Sequence, residues 1–212
     1  MVVDYLCDQD IEQDNAVACF YYDFASREAQ SPTNMLGSLL KQLLSGLGAI
    51  PVEIMKKCLS QRVIGGRFQL PDLVKMLAVV TSLQPTFICI DALDECVPRN
   101  RLEVLDALGQ ILRGSPNTRI FMTGRSHIRG AVERELGGKT SSVSIVTRED
   151  DMVAYLRARL GKDTNPDAMD SLLKNEIMKR IPEEISETYV QAWDIGTPCE
   201  PYKLLTGANT DS

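Results

Sequence analysis

At 212 residues, with 44% hydrophobic and 25% charged content, the chain is long enough to bury the core of one soluble domain. A net charge of −6 and a pI near 4.9 argue against a dedicated nucleic-acid binder, which carries a basic stripe. No apolar run approaches the ~20 residues of a membrane helix, and the opening MVVDYLCDQD has neither basic leader nor cleavage site. Cys7, Cys19, Cys58, Cys89, Cys96 and Cys199 form no CxxC pair. A reducing, cytoplasmic setting without a zinc site is therefore expected.

In chain order, Met1 to Cys7 reads as the tail of a helix, with Val2, Val3 and Leu6 on one face. AVACFYYDF (16–24) is aromatic and rich in strand formers. A helix follows, capped by Ser31 and opened by Pro32, with leucines at 36, 39, 40, 43, 44 and 47. A short helix near 51–60, a Gly-Gly break at 65–66 and a helix from Pro71 precede the strand FICID (87–91). Beyond it come a helix near 100–113, the strand TRIFMTGR (118–125), a helix near 127–136 and the strand SVSIV (142–146). Thr147 with Asp150 forms a capping box that opens the helix DDMVAYLRARLG. Apolar strands alternating with helices predict an α/β fold with a parallel sheet covered on both faces. One more helix starts at Asn165-Pro166, bears Ala168, Leu172, Leu173 and Ile177, and ends near Ile181-Pro182. Past Ser186 the prolines, glycines and lack of period predict an irregular tail. The expected organisation is a core over 1–162, the start of a helical extension over 163–185 and the tail over 186–212.

The chemistry concentrates at FICIDALDEC. In open parallel sheets the ligand sits outside the carboxyl ends of the strands. Asp91 closes such a strand, and a carboxylate there suits Mg²⁺ beside phosphates. Asp94 or Glu95 would then orient or deprotonate an attacking water. Thr123 and Arg125 form a second polar strand end. If the two strands are neighbours, Arg125 lies close to Asp91 and can read a γ-phosphate, or simply pair with Asp91 or Asp94. The plain alternative for Asp91 is capping of the next turn. GGKT (137–140) is no phosphate loop: Glu133 stands where the motif's first glycine belongs, a helix precedes it and a strand follows. It reads as a helix-terminating loop.

ACFYYDF, SPTNMLGSLLKQLL, PTFICIDALDEC, RIFMTGRSHIR and IPEEISETYV, in this order and spacing, resemble fungal NACHT-type signalling NTPases of the STAND class, whose core is also described as a nephrocystin-like N-terminal domain. The resemblance spans roughly 1–190. It implies a three-layer P-loop NTPase-like parallel sheet, here incomplete, with the first strand and phosphate loop absent. It implies Asp91 as the Walker B Mg²⁺ ligand, Asp94 and Glu95 as the catalytic acidic pair, and Thr123 and Arg125 as the nucleotide-facing sensor strand. It further implies ATP or GTP as ligand, and self-association or related NACHT proteins as partners. Two departures stand out. The chain opens in the helix that would follow the phosphate loop, and it runs into an unrelated-looking tail after Val190; Ser126 also replaces a usual proline. A fragment or truncated paralogue is therefore expected. The slot between the third and fourth strands, where the family's first strand belongs, should be open or collapsed. Two functions remain: part of a nucleotide switch in signal transduction, or a degenerate, non-catalytic interaction module.

Overall fold

The computed structural model describes residues 15–137, 140–146, 148–162, 170–185 and 189–196. Five strands form one sheet: β1 (Ala16–Tyr21), β2 (Thr86–Asp91), β3 (Thr118–Arg125), β4 (Thr140–Val146) and β5 (Tyr189–Gly196), in the order β1-β2-β3-β5-β4. Among the described residues seven α-helices accompany them: α1 (Pro32–Gly46), α2 (Val52–Ile64), α3 (Leu70–Leu83), α4 (Pro98–Gly114), α5 (Arg129–Leu136), α6 (Glu149–Leu160) and α7 (Ser171–Ile185). The α/β class of the expected three-layer kind is thus in place, on a mixed sheet rather than a wholly parallel one.

β1, β2 and β3 pair in parallel, Ala16 opposite Thr86 and Thr86 opposite Thr118. β4 runs in the same direction as these three, as expected, but pairs with none of them. Between β3 and β4 lies β5, antiparallel to both, with Met122 opposite Trp193 and Trp193 opposite Ser142. Two expectations are corrected here. The slot is neither open nor collapsed, and the segment expected to be an irregular tail supplies an interior strand. The physical reason lies in YVQAWDIG itself. Gln191, Trp193 and Ile195 alternate onto one face and are buried, while Ala192 is buried on the other. Gly196, Pro198 and Pro201, which carry the loop-like look, stand at the strand's end or beyond it, and 197–212 lie outside the described residues.

The main core sits against one face of the sheet. Ala18, Ile88, Ile90, Ile120, Met122 and Trp193 point into it and meet the leucine face of α1 and the apolar faces of α3, α4 and α5. Helix ends follow their local chemistry. Ser31 Oγ accepts from the Asn34 N–H, with Pro32 in the first turn of α1. Gly65, at φ 63°, ends α2 in the left-handed conformation that glycine adopts without penalty. α6 starts after Arg148, which makes no side-chain cap; Thr147, expected to cap it, lies outside the described residues, as do Met1–Cys7 and Ala168. α7 runs past its expected stop to Ile185 with Pro182 inside it. A proline so near the end forfeits a single backbone bond, so one more turn is tolerated. Its expected apolar stripe is largely solvent-facing, with Leu172 and Leu173 exposed.

β1 forms one edge of the five-stranded sheet. On β1 the Gln42 side chain from α1 accepts from the Cys19 N–H at 2.9 Å and donates to the Cys19 carbonyl at 2.8 Å, doing the work of a neighbouring strand. Gln42→Ala should cost about 1 kcal/mol; thermal unfolding would show it, and an unchanged midpoint would mean that water serves as well.

Tyr22, one residue beyond β1, is buried with its hydroxyl against Cys96 and makes no hydrogen bond of ordinary geometry. Burial, then the neighbouring thiol, pushes its phenol far above the ordinary 10.0, and burial raises the Cys96 thiol above 9.0. The fold therefore prefers both groups protonated. Their contribution is complete below the unfolded values and is lost as pH climbs past them. Stability should fall from about pH 9–10 upward, and Tyr22→Phe should flatten that decline in urea unfolding at pH 8 and 10.5. An unaltered slope would place the alkaline sensitivity elsewhere.

Candidate functional site

β2 and β3 end side by side, Ile90 opposite Met122, so their terminal side chains share one crevice. Asp91, exposed, is the last residue of β2. The Thr123 hydroxyl donates to Asp91 Oδ1 at 2.5 Å and accepts from the Ala92 N–H at 3.0 Å. One side chain of β3 thus fixes both the carboxylate and the start of the turn that follows.

That turn is sharp because Ala92 has φ 54° and ψ 47°, the one positive φ outside glycine among the described residues. An L-residue gives up about 1–2 kcal/mol there. The reversal drives Leu93 into the core, fully buried, and brings Asp94 and Glu95 back over the end of β3. Ala92→Gly should relieve the strain at some cost in unfolded-chain entropy, for a net gain of about 0.5–1 kcal/mol. Denaturant unfolding measures it; a loss of stability would mean that the alanine methyl contributes more than its backbone costs.

Three further residues assemble the crevice, none of them singled out by sequence. From α4, Arg101 Nη2 donates to the carbonyls of Asp94 at 2.8 Å and Cys96 at 2.9 Å, bracing the turn from below. Gly124 leaves room where a Cβ would stand 2.7 Å from Ile128 Cδ1 and 3.4 Å from Asp94 Oδ1. Leu93 is the anchor already described. Arg101 has no special sequence signal, since an arginine in a helix's first turn reads as solvent-facing.

All five residues expected at the site are in this crevice. Asp94 accepts from the Arg125 backbone N–H at 3.2 Å through Oδ1 and lies 3.4 Å from Arg125 Nε through Oδ2. Glu95 Oε1 stands 3.6 Å from Arg125 Nη2. The Asp94 side chain is only 7% exposed while that of Arg125 is 62% exposed, so the guanidinium lies as a lid over the carboxylate with its far side in water. In this arrangement Arg125 makes the ion pair with Asp94 that the sequence left open, extended to Glu95.

Asp91 stands apart, exposed and held through one oxygen. Among the described residues no three His, Cys, Asp or Glu side chains converge as a metal cage. Mg²⁺ does not need one: it commonly takes one or two protein carboxylates and completes its shell with water and phosphate oxygen. A solvent-facing carboxylate steadied by a hydroxyl fits that donor set.

The family described as Nephrocystin 3, N-terminal, matches residues 1–125, covering β1 through the end of β3 and therefore the whole crevice. No curated protein matches the chain.

Proposed function

The chain belongs to the nephrocystin 3 N-terminal family, and from that membership we propose that it serves in signal transduction as a NACHT-type nucleotide-switch domain. The observation that carries the reading is the Thr123–Asp91 link between two adjacent strand ends, with Asp94 and Glu95 beside it. Asp91 would hold Mg²⁺ with ATP or GTP, and Thr123 keeps its carboxylate aimed outward. The bound metal would supply neutralising charge to the phosphates. Arg125, half in solvent, supplies a fixed positive fork to any anionic group entering the crevice. Related NACHT proteins, or further copies, are the partners that go with this reading, and a cytoplasmic setting with it.

Turnover is a different matter. Phosphoryl transfer is almost entirely positioning and charge stabilisation, with backbone N–H groups and a lysine around the phosphates. The chain contains no Gly-x-x-x-x-Gly-Lys-Ser/Thr. Phosphate release from ATP or GTP by this chain alone should therefore stay at background. Equilibrium binding of Mg–ATP and Mg–GTP tests the reading: binding should need Mg²⁺ and weaken at least tenfold in Asp91→Ala. Binding untouched by that change, or none at millimolar nucleotide, would refute it.

A second reading, a non-catalytic interaction module, is favoured by β5. Among the described residues an antiparallel strand fills the interior slot and brings no phosphate-binding turn with it. A stable monomer that unfolds in one sharp transition and binds no nucleotide would select it.

A further inference from the structure

Away from the crevice, α2 is anchored on one side and bare on the other. Ile54 is buried and Lys57 pairs with Asp72 of α3, fixing the inner face. On the outer face Val52, Met55, Leu59 and Val63 are 64%, 47%, 55% and 86% exposed. Spacings of three, four and four residues place them in a single stripe along the helix. Four large apolar side chains in one line are more than the scattered exposure normal for a soluble surface. Lys56 flanks the stripe on one shoulder and Arg62 on the other, both exposed.

The surroundings repeat that charge. Between residues 29 and 90 there are six basic residues against two acidic ones, a net of +4 inside a chain of −6. Lys41, Arg67 and Lys75 join Lys56 and Arg62 on the exposed surface. Next to α2, a cavity of about 400 Å³ between α1, α2 and α3 is lined by Leu40, Leu44, Ile50, Cys58, Phe68 and Leu73.

We propose that α2 is a docking face for an acidic amphipathic helix of a partner protein, its apolar stripe on Val52–Val63 and its carboxylates against Lys56 and Arg62. Charge complementarity selects this occupant. A second copy of α2 would set like charges against each other on both shoulders. The neighbouring cavity favours a protein, because it can receive one anchoring side chain, whereas a bilayer surface presents none. The site lies apart from the nucleotide crevice and does not depend on its function.

The test uses the full chain and a labelled 18-residue designed helix with leucine at its a and d positions and glutamate on both shoulders, read by fluorescence anisotropy. Saturable binding is expected, weakened at least tenfold by Leu59→Glu and by raising salt to about 0.5 M. Leu59 is exposed, so the variant should keep the wild-type circular dichroism and unfolding midpoint. The double variant Lys56→Glu/Arg62→Glu should reverse the preference, binding the same helix with lysine shoulders instead. Absence of saturable binding, equal affinity for the two peptides, or indifference to Leu59→Glu would overturn the proposal. So would association confined to phosphatidylserine-containing vesicles, or self-association of the chain abolished by Leu59→Glu.

Discussion

Trp193→Ala is expected to cost about 3–5 kcal/mol, a third or more of the ~5–15 kcal/mol that holds a domain of this size together. Trp193 is fully buried in β5, between Met122 of β3 and Ser142 of β4, and belongs to the main core cluster. Truncation removes its ring and leaves a void in the strand that joins the two halves of the sheet. The rigid ladders on either side limit how far the neighbours can collapse to fill it. Urea unfolding followed by circular dichroism measures the loss; fluorescence would not serve, since this is the only tryptophan. A cost below about 1 kcal/mol would mean that β5 is not holding the slot.

The same strand carries the second large effect. On the opposite face, Arg119 of β3 pairs with Asp194, their side chains 18% and 22% exposed. Arg119 Nε and Nη1 are buried without hydrogen-bond partners. Asp194→Ala would leave a mostly buried guanidinium without its counter-charge, and partial solvent access keeps the expected cost near the lower end of such breaks, about 3 kcal/mol. Replacing both partners, as Arg119→Met with Asp194→Leu, removes the stranded charge and should return stability to within about 1 kcal/mol of the wild type. Wild type, Arg119→Met, Asp194→Leu and the double variant, unfolded in urea, form the cycle that separates the pair's net worth from the penalty of orphaning one member. A double variant as weak as Asp194→Ala would show that the aspartate acts through packing instead.

That β5 bears both effects explains what the sequence could reveal. β1 to β4 and the helices around them announce themselves locally, through apolar runs of strand length and leucines at helical spacing. FICID could be placed, and its carboxylate recognised, because a strand buried on both faces that ends in Asp is a local pattern. Placing Arg125 near Asp91 rests on assuming adjacent strands; β2 and β3 are adjacent, but Thr123 is the residue that reaches Asp91, while Arg125 pairs with Asp94 and Glu95. β5 has weaker marks: a polar Gln191 at a buried position, an acidic Asp194 whose partner is 75 residues away, and prolines and glycines crowding its end. What makes it a strand is the vacant ladder on either side, a property of the fold and not of the octapeptide. Arg101 was hidden for a related reason, since nothing in its own helix says that it reaches back to the carbonyls of Asp94 and Cys96.

The position of β5 also sets an order of events. β1, β2 and β3 can pair with one another as soon as β3 is made, because the β1–β2 and β2–β3 ladders need no later strand. β4 has no such option: among the described residues it pairs with β5 alone, which is synthesised more than forty residues later. While the chain grows, one edge of β3 and all of β4 must wait, and the loop closed when Arg119 meets Gly196 is long. Long-range closures of this kind slow folding and lengthen the exposure of unpaired edges. The sheet should therefore become cooperative in a single late step, triggered by the arrival of eight residues. A nascent chain stalled before Tyr189 would be the species most in need of a chaperone.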